Sequence, residues 1–378
     1  MAKNSAHISE LDRIMKEGYE MERYRIAVVP GDGIGVDTIN EAEETLKTVC
    51  AVHGGVGLSF ERYPWGCRYY LQYGTMMPAD GLCILGDYDS ILFGAVGFPP
   101  VPDHISLWGL LLPIRQSFEQ YINLRPVRLL PGVPGPLRNK GPKDIDFVCI
   151  RENTEGEYSG VGGRAHRGMA NEVAVQTSVF TRAGVERVLR YGFELARKRP
   201  RHELVSATKS NALQYSMVFW DEVYAQIKSE YPDISCRQYH VDALAARFVT
   251  APESLDVVVA SNLFGDILTD LGGALQGSLG IPPSGNINPE RRYPSLFEPV
   301  HGSAPDIAGK GIANPIAAIW AASMLLDHLG YEDAGRLVLQ GIEAVTTEGK
   351  TLTPDLGGSA TTQEIGEAIR ARIRGLGA

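Results

Sequence analysis

The stretch YRIAVVPGDGIGVDTINEAEETLKTV (residues 24–49) joins an apolar strand to an amphipathic helix through a turn rich in glycine. The fingerprint of the usual dinucleotide-binding (Rossmann) fold needs glycines at the first, third and sixth positions of this turn. Here the glycines are Gly31, Gly33 and Gly35, and Val36 occupies the sixth position. The stretch therefore predicts a strand–turn–helix unit without the usual phosphate-binding loop, so a nucleotide site has to be sought elsewhere.

The same alternation of strands and helices continues along most of the chain. Five segments rich in valine and isoleucine read as buried strands: YRIAVV, DSILFGAV, DIDFVCI, HELVSAT and LDVVVAS. Amphipathic helices separate them, which is typical of an α/β protein with a largely parallel sheet.

Three helices show clear local signals. In TRAGVERVLRYGFELARKR one apolar stripe repeats at helical spacing and consists of Val185, Val188, Leu189, Gly192, Phe193 and Ala196. A second helix is predicted to have Asn314 as its cap, Pro315 in its first turn and Gly330 as its end. Thr361 and Glu364 predict a capping box for the last helix.

Composition limits the possible function classes. The 378 residues are too many for one simple core and favour two domains, while the net charge of −9 argues against a nucleic-acid partner. The chain has no apolar run long enough to span a membrane, and its first twenty residues are too polar for a secretion signal. Five scattered cysteines indicate reduced thiols rather than disulfides or a zinc site, so we expect a cytoplasmic protein.

The segment EGEYSGVGGRAHRGMANEVAVQTSVF (residues 155–180) departs from the α/β pattern. A glycine-rich turn followed by an alternating run suits a β-hairpin arm that reaches another subunit. An ordinary surface loop is an equally good interpretation of this composition.

Two aspartates in SNLFGDILTDLGG (residues 261–273) form the first candidate site. Asp266 and Asp270 are four residues apart, so a helix would present both carboxylates on one face. Their repulsion is relieved by a divalent cation, and magnesium and manganese prefer oxygen ligands. The alternative is a solvated acidic face, which the surrounding apolar and glycine residues make less suitable.

Several basic residues form the other candidates. Arg115, Arg125 and Arg151 each end or border an apolar element, and three guanidinium groups could fix a dicarboxylate. Taken singly, each arginine also suits a surface ion pair. Lys209, in SATKSNAL, suits a base if its site is partly desolvated, and a solvated lysine is the alternative.

The segment FEPVHGSAPDIAGKGIANP (residues 297–315) predicts a long ordered loop with exposed backbone amides. Such a loop can wrap a nucleotide, with His301 and Asp306 as polar anchors. A purely structural loop has the same composition.

Taken together, these segments resemble the β-decarboxylating dehydrogenases that include isocitrate and isopropylmalate dehydrogenases. The resemblance covers nearly the whole chain after about residue 22 and includes, in order, VVPGDGIG, NLRPVR, RENTEGEY, NLFGDILTDLGG and EPVHGSAPDIAGKGIANP. Within the family, DHISLWGLLLPIRQSFEQYINLRPVRLLPGVPGPL is most similar to the enzymes that act on tartrate and D-malate. The implied fold is α/β, isopropylmalate dehydrogenase-like, with two domains and a central mixed sheet.

The resemblance also implies how the chain is divided. Residues 1–21 would form an N-terminal extension, and residues 22–124 with 277–378 a cofactor-binding domain. Residues 125–276 would form the domain that binds substrate and metal and makes the dimer, with its arm near residues 155–180. The implied enzyme is a homodimer whose active sites are shared between subunits, although the sequence does not distinguish a dimer from a tetramer.

Roles in substrate chemistry follow from the same resemblance. Four residues are implied to bind or surround the substrate: Arg115, Arg125, Arg151 and Trp108. Tyr158 would protonate the enol after decarboxylation, and Lys209 would accept the proton of the substrate hydroxyl. Three aspartates would hold the divalent metal ion: Asp242, Asp266 and Asp270. In relatives, the counterparts of Lys209 and Asp242 come from the second subunit.

The implied cofactors are NAD, Mn²⁺ or Mg²⁺, and a monovalent cation such as K⁺. Seven residues would bind NAD: Glu298, His301, Gly302, Ser303, Ala304, Asp306 and Asn314. A carboxylate at Asp306 accepts hydrogen bonds from the adenosine ribose and repels the extra phosphate of NADP, so NAD is favoured.

The expected reaction is the oxidative decarboxylation of D-malate to pyruvate and CO₂, together with turnover of tartrate. Trp108, in SLWGLLLPIR, should leave little room for a substituent on the third substrate carbon. Leu111 and Leu112 keep the leucine-biosynthetic alternative, 3-isopropylmalate, open. The sequence ranks neither D-malate against tartrate nor manganese against magnesium.

Overall fold

The computed structural model describes residues 23–377, and the expected N-terminal extension lies outside them. The described strands are β1 (Arg23–Gly31), β2 (Gly57–Arg62), β3 (Ser90–Ala95), β4 (Ile122–Arg128), β5 (Asp146–Glu152), β6 (Gly156–Ala165), β7 (Val173–Val179), β8 (Glu203–Thr208), β9 (Ser235–His240), β10 (Val257–Ala260), β11 (Pro283–Ile287) and β12 (Ser295–Pro299).

Helices cover the two faces of the sheet and connect its strands. They are α1 (Gly35–His53), α2 (Cys67–Tyr73), α3 (Gly81–Gly86), α4 (Asp103–Ser106), α5 (Leu112–Ser117), α6 (Arg182–Lys198), α7 (Ser216–Lys228), α8 (Val241–Thr250), α9 (Asn262–Leu275), α10 (Ile316–Leu329), α11 (Glu332–Glu348) and α12 (Thr362–Leu376). A π-helical turn, Leu107–Leu111, lies between α4 and α5. Within residues 23–377, no helix is both long and apolar enough to cross a membrane.

Ten strands form one mixed sheet in the order β2-β1-β3-β12-β11-β4-β5-β10-β8-β9. The pairs at both ends of this order are parallel, whereas β11 is antiparallel to both β12 and β4, and β4 is antiparallel to β5. The expected central mixed sheet is confirmed. Strands from residues 22–124 and 277–378 occupy one half of this sheet, and strands from residues 125–276 occupy the other half, with β4 at the boundary. The division into two domains stays a prediction.

The glycine turn after β1 connects three parts of the chain. The backbone N–H of Asp32 donates to the carbonyl of Ala95 at 2.7 Å, and that of Ile34 donates to the carbonyl of Ser303 at 2.8 Å. A Cβ atom on Gly33, where φ is +59°, would lie only 1.9 Å from the Ser303 oxygen. The turn therefore uses these amides for internal packing, which agrees with the expectation that it differs from a Rossmann phosphate loop.

The local helix signals are confirmed for α6 and α12 and for the end of α10, whereas the start of α10 lies one residue later than predicted. All residues of the predicted apolar stripe of α6 are buried, and the Thr361–Glu364 capping box is present. Pro315, not Asn314, holds the N-cap position of α10, while Oδ1 of Asn314, one residue further out, accepts a hydrogen bond from the Ile316 N–H at 3.0 Å. Gly330 ends this helix in the left-handed conformation. Pro315 stands just before the first helical residue rather than within the first turn.

Residues 155–180 contain an antiparallel hairpin of β6 and β7, so the hairpin interpretation is confirmed over the surface loop. Most of its side chains face solvent, including Val161, Met169, Val173 and Val175, each about half exposed or more. Its proposed contact with another subunit stays a prediction.

His328 on α10 is expected to make the folded protein sensitive to acid. Its ring lies 5.6 Å from that of Phe297, and burial together with the charge of Arg291 lowers its pKa to about 4. Because an unfolded histidine titrates near pH 6.5, acidification from about pH 6.5 to 4 protonates the unfolded chain preferentially. The free energy of unfolding should fall over this range by up to roughly 3 kcal/mol from His328 alone.

Urea denaturation at pH 7.5 and pH 4.5 measures this contribution. His328→Gln should lose less stability between the two pH values than the wild type, whereas His104→Gln, at an exposed position of α4, should match the wild type. Equal pH dependence in all three proteins would contradict the assignment to His328.

Candidate active site

A cavity of about 210 Å³ opens where the ends of β3, β4, β5, β6 and β12 meet α5 and α9. Eight of the predicted site residues lie on its wall: Arg115, Arg125, Arg151, Tyr158, Asp266, Glu298, His301 and Gly302. Residues that are far apart in the sequence are thus brought together at one place.

Arg115 reaches the cavity from α5, and its side chain is only 7% exposed. Its Nη2 donates a hydrogen bond to Oε1 of Glu298 at 2.8 Å. Its Nε is also buried but has no hydrogen-bond partner within residues 23–377. An unsatisfied buried donor on a charged group is costly, so this atom is suited to an anionic ligand.

Arg125 and Arg151 lie on adjacent antiparallel strands. The register pairs Arg125 with Cys149, two residues before Arg151, so both arginines point to the same face of the sheet. Both are buried, and burial lowers the pKa of each guanidinium. The Nε of Arg125 resembles that of Arg115, because it too is buried without a partner among the described residues.

Asp266 is the main counter-charge to these arginines. Its carboxylate contacts Nη1 of Arg151 and lies 3.7 Å from Nη2 of Arg125. Burial alone would raise the pKa of Asp266, but the two guanidinium charges overcome that effect and lower it. Asp266 is therefore ionised at neutral pH.

Tyr158, on β6, completes this cluster. Its hydroxyl donates to Oδ2 of Asp266 at 3.0 Å, and the guanidinium carbon of Arg151 lies 5.2 Å from its ring centre. Burial and the charge of Asp266 raise the pKa of Tyr158. The phenol consequently remains protonated at neutral pH and can act as a proton donor.

Asp270 follows Asp266 by one turn of α9, as the spacing predicts. Its side chain is 75% exposed, and its Oδ1 lies 4.0 Å from Nη1 of Arg125. Burial of the carboxyl and repulsion from Asp266 raise the pKa of Asp270. This repulsion favours a cation beside the two carboxylates, although no three metal-binding side chains gather within residues 23–377 of a single chain.

Lys209 and Asp242 lie together but away from the cavity wall. Lys209 follows the end of β8, Asp242 lies in the first turn of α8, and Nζ is 2.7 Å from Oδ1. The hydrogen bond from Lys209 is the main reason that the pKa of Asp242 is lowered. Within one chain, the predicted site residues thus form two separate groups. One group lines the cavity, and the other consists of Lys209 and Asp242.

The end of β12 and the loop after it contain the predicted NAD-binding residues. Glu298, His301 and Gly302 lie on the cavity wall, while Asp306 is exposed. Nε2 of His301 is buried and has no partner in the described part of the chain. Burial also lowers the pKa of His301, so its ring is neutral at pH 7.

The remaining predicted residues of this loop have structural contacts. The Ser303 carbonyl receives the Ile34 N–H, and Ala304 adopts a positive φ of 38°. Asn314 is buried, and its Nδ2 donates to Asp355 at 2.9 Å in addition to the bond that its Oδ1 accepts from the Ile316 N–H. Hydrogen bonds thus tie this loop at Ser303 to the turn after β1 and at Asn314 to Asp355.

Trp108 lies outside the cavity wall. It belongs to the π-helical turn, is 43% exposed, and packs on Gly160 of β6, where an added Cβ would lie 2.7 Å from the indole. The extra residue in a π turn changes which side chains share a face. This part of the wall is formed instead by Leu107, Leu111 and Leu112. No direct contact of the indole with the cavity therefore supports the expectation that Trp108 narrows the pocket.

Sequence reasoning missed two side chains that hold the arginines. Oδ1 of Asn262 accepts from Nε and Nη2 of Arg151, and Oγ1 of Thr269 accepts from Nη1 of Arg125 at 2.5 Å. Both residues lie on α9 at helical spacing from Asp266, four residues before it and three after it. That spacing is a signal in the sequence which could have identified them.

Comparison with known proteins agrees with this geometry. The sequence matches the family described as isocitrate/isopropylmalate dehydrogenase over residues 25–369. A D-malate dehydrogenase (decarboxylating) from Escherichia coli (strain K12) is 56% identical over 356 residues, which cover 92% of this chain and 98% of the relative. A probable tartrate dehydrogenase/decarboxylase from Bacillus subtilis (strain 168) is 54% identical over 357 residues, or 94% and 99% of the two chains.

The fold has a close counterpart among solved structures. The crystal structure of isocitrate dehydrogenase from Methylococcus capsulatus superposes with a TM-score of 0.84 and 33% sequence identity, covering 93% of this chain and 99% of that chain. Both the sequence match and the structural match extend over almost all of the described residues. The chain therefore belongs to the isocitrate/isopropylmalate dehydrogenase family.

Proposed function

We propose that this protein catalyses the NAD-dependent and divalent-metal-dependent oxidative decarboxylation of D-malate to pyruvate and CO₂, and that it also acts on tartrate. The observation on which this proposal rests is the set of three buried arginines around one cavity of about 210 Å³. The relatives described above, a D-malate dehydrogenase and a probable tartrate dehydrogenase/decarboxylase, support the choice of substrates.

The arginines are the proposed binding site for the two substrate carboxylates. Guanidinium groups bind carboxylates through paired hydrogen bonds, and the buried Nε atoms of Arg115 and Arg125 have no partner within residues 23–377. Arg151 is held by Asn262 and Asp266, which supports a fixed position for its charge. A small dicarboxylic acid would satisfy the free donors and balance the positive charge.

Lys209 and Tyr158 are the proposed proton carriers. Lys209 would accept the proton of the substrate hydroxyl as the alcohol becomes a ketone. The bond between the third carbon and its carboxylate then breaks, CO₂ leaves, and Tyr158 would donate a proton to the resulting enol. The raised pKa of the Tyr158 phenol suits this role, because the proton is present at neutral pH.

The proposed cofactors are a divalent metal ion, NAD and a monovalent cation, and the residues around the cavity suit the first two. Asp266 and Asp270, with Asp242 supplied by a second copy of the chain, would hold Mn²⁺ or Mg²⁺, and the repulsion between the first two carboxylates supports a cation there. The loop from Glu298 to Asn314 would hold NAD, and a monovalent cation such as K⁺ is a further proposed requirement. When bound, NAD accepts the hydride and the divalent ion stabilises negative charge on the substrate oxygens.

We propose a homodimer, because residues from two subunits would complete each active site. We also propose that this dimer is cytoplasmic. Lys209 and Asp242 lie away from the cavity of their own chain, and the exposed hairpin of β6 and β7 offers apolar side chains to a partner. The five free thiols suit a reducing compartment.

NADH formation in the presence of Mn²⁺ tests the proposal, with D-malate, L-tartrate, 3-isopropylmalate and isocitrate compared by kcat/KM. D-malate or tartrate should give the highest value. A higher value for 3-isopropylmalate would overturn the substrate assignment and leave the proposed arginine and lysine roles intact. Absence of turnover with all four acids, despite NAD binding, would overturn the proposal as a whole.

A further inference from the structure

Behind Arg115 lies a buried polar network that joins three strands. Its centre is Asn286 on β11, a fully buried residue opposite Asn123 of β4 in the antiparallel ladder. Oδ1 of Asn286 accepts hydrogen bonds from Nδ2 of Asn123 and Nδ2 of Asn153, each at 2.9 Å. These two bonds fix the orientation of the amide, because its oxygen must face both donors.

With the oxygen so oriented, the amide nitrogen faces Glu298. Nδ2 of Asn286 donates to Oε1 of Glu298 at 2.7 Å, and the same oxygen accepts from Nη2 of Arg115 at 2.8 Å. Glu298 is 8% exposed and Arg115 is 7% exposed. The chain of contacts thus runs from the centre of the sheet, through one carboxylate oxygen, to a guanidinium on the cavity wall.

Position within the sheet gives this network its rigidity. Asn286 and Asn123 lie on β11 and β4, which pair where the two halves of the sheet meet. Asn153 is also tied to the backbone, since its Nδ2 donates to the Gln120 carbonyl at 2.9 Å. Oδ1 of Asn123 and Oδ1 of Asn153 have no partner within residues 23–377, but the hydrogen bonds that converge on Asn286 are all buried. Buried hydrogen bonds of this kind restrict side-chain motion more than isolated surface bonds do.

We infer that Asn286 is a positioning residue for substrate binding: through Glu298 it holds the Arg115 guanidinium in the orientation that receives a substrate carboxylate. The inference rests on the proposed function, in which Arg115 binds that carboxylate. Without the amide donor, Glu298 is free to rotate with Arg115, and the guanidinium loses its fixed direction. None of the hydrogen bonds of Asn286 described above reaches Lys209 or Tyr158, the two proposed proton carriers.

Asn286→Asp keeps the acceptors for Asn123 and Asn153 and, when its carboxylate is ionised, replaces the N–H donor to Glu298 with a repelling negative charge. We expect the KM for D-malate, measured with saturating NAD and Mn²⁺, to rise about tenfold, the factor that one lost hydrogen bond to a charged group corresponds to. The KM for NAD should rise less than the KM for D-malate, because Glu298 is only one of seven residues proposed to bind NAD, whereas the lost donor contacts the same carboxylate oxygen that holds Arg115. Asn286→Leu, which removes all the hydrogen bonds, should raise the KM for D-malate at least as much.

Asn123→Leu is the matched control. It removes an equally buried amide from the same network, including a bond to Ser284 at 2.7 Å. The Asn153 donor still holds Oδ1 of Asn286, and the contacts from Asn286 through Glu298 to Arg115 stay in place. Its unfolding temperature should fall as in Asn286→Leu, whereas its KM for D-malate should stay near that of the wild type. A purely structural role for Asn286 predicts equal KM values in the two leucine variants.

A double-mutant cycle shows whether the effect passes through Arg115. If it does, Asn286→Asp should raise KM much less in an Arg115→Lys background than in the wild type. Unchanged KM for D-malate in both Asn286 variants, additive effects in the cycle, or a change confined to the KM for NAD would overturn the inference. The inference would also be overturned if both Asn286 variants failed to fold while Asn123→Leu folded. Absence of dicarboxylate turnover in the wild type would instead refute the proposed function.

Discussion

Replacement of Lys209 by methionine is expected to reduce kcat by roughly 10²–10⁴-fold, the range that a positioned general base contributes. Methionine keeps most of the side-chain length but cannot accept the proton of the substrate hydroxyl. The loss should not reflect unfolding, because the partner carboxylate of Asp242 is 68% exposed and stays solvated. Steady-state NADH formation and the unfolding temperature, measured together, separate the two effects. Lys228→Met, at an exposed lysine ending α7, is the control and should retain full activity.

The same variant tests whether sites are shared between subunits. In a shared site, Lys209 of one chain works with Tyr158 of the other, so a mixed dimer of Lys209→Met and Tyr158→Phe keeps one intact site. Mixing the two inactive proteins under conditions of subunit exchange should then restore up to about a quarter of wild-type activity, since half of the dimers formed at random are mixed. A mixture as inactive as its components, with subunit exchange demonstrated, would mean that Lys209 and Tyr158 of one site come from the same chain.

Replacement of Arg125 by methionine should lower kcat/KM for D-malate by about 10²–10³-fold, as expected when one member of a buried charge pair is truncated. Arg125 is buried, its Nε has no partner among the described residues, and Asp266 lies 3.7 Å from its Nη2. Removal of the guanidinium takes away a group that is proposed to bind a substrate carboxylate. It also leaves the negative charge of Asp266 with less positive charge nearby. Initial rates over a range of D-malate concentrations measure the effect.

Arg128→Met is the matched control, because Arg128 lies three residues later on β4 and pairs with Glu343 at 2.6 Å outside the cavity wall. It should leave kcat/KM for D-malate near the wild-type value. A stabilisation test adds a readout independent of turnover: D-malate with Mn²⁺ should raise the unfolding temperature of Arg128→Met but not of Arg125→Met. Equal activity in the two arginine variants would remove Arg125 from the proposed carboxylate site.

Local patterns in the sequence were sufficient for much of this fold. The five valine- and isoleucine-rich strands, the apolar stripe of α6 and the capping box of α12 were all predicted and are present. Each depends on residues within one turn or one strand, where periodicity and capping chemistry act directly. The residues themselves indicated a group of arginines and an aspartate pair, and the resemblance to the dehydrogenase family implied that these and Tyr158 belong to one site.

The antiparallel centre of the sheet depended on long-range contacts. Strands β11 and β12 are short and contain proline, glycine and polar residues, so no local apolar pattern marks them. Their pairing follows from neighbours more than a hundred positions away in the case of β11 and β4. The buried network around Asn286 exists only because this pairing places Asn123 opposite it.

The direction of Trp108 also required the tertiary structure. Its sequence position suggested a pocket wall, but a π-helical turn directs the indole towards Gly160 and leaves three leucines on the wall. The sequence by itself determined the main strands and helices and the candidate site residues that they carry, because propensity and periodicity are local. Only the tertiary structure decided which of them meet in one chain, because strand order, side-chain direction and the separation of Lys209 from the cavity arise from packing between distant segments.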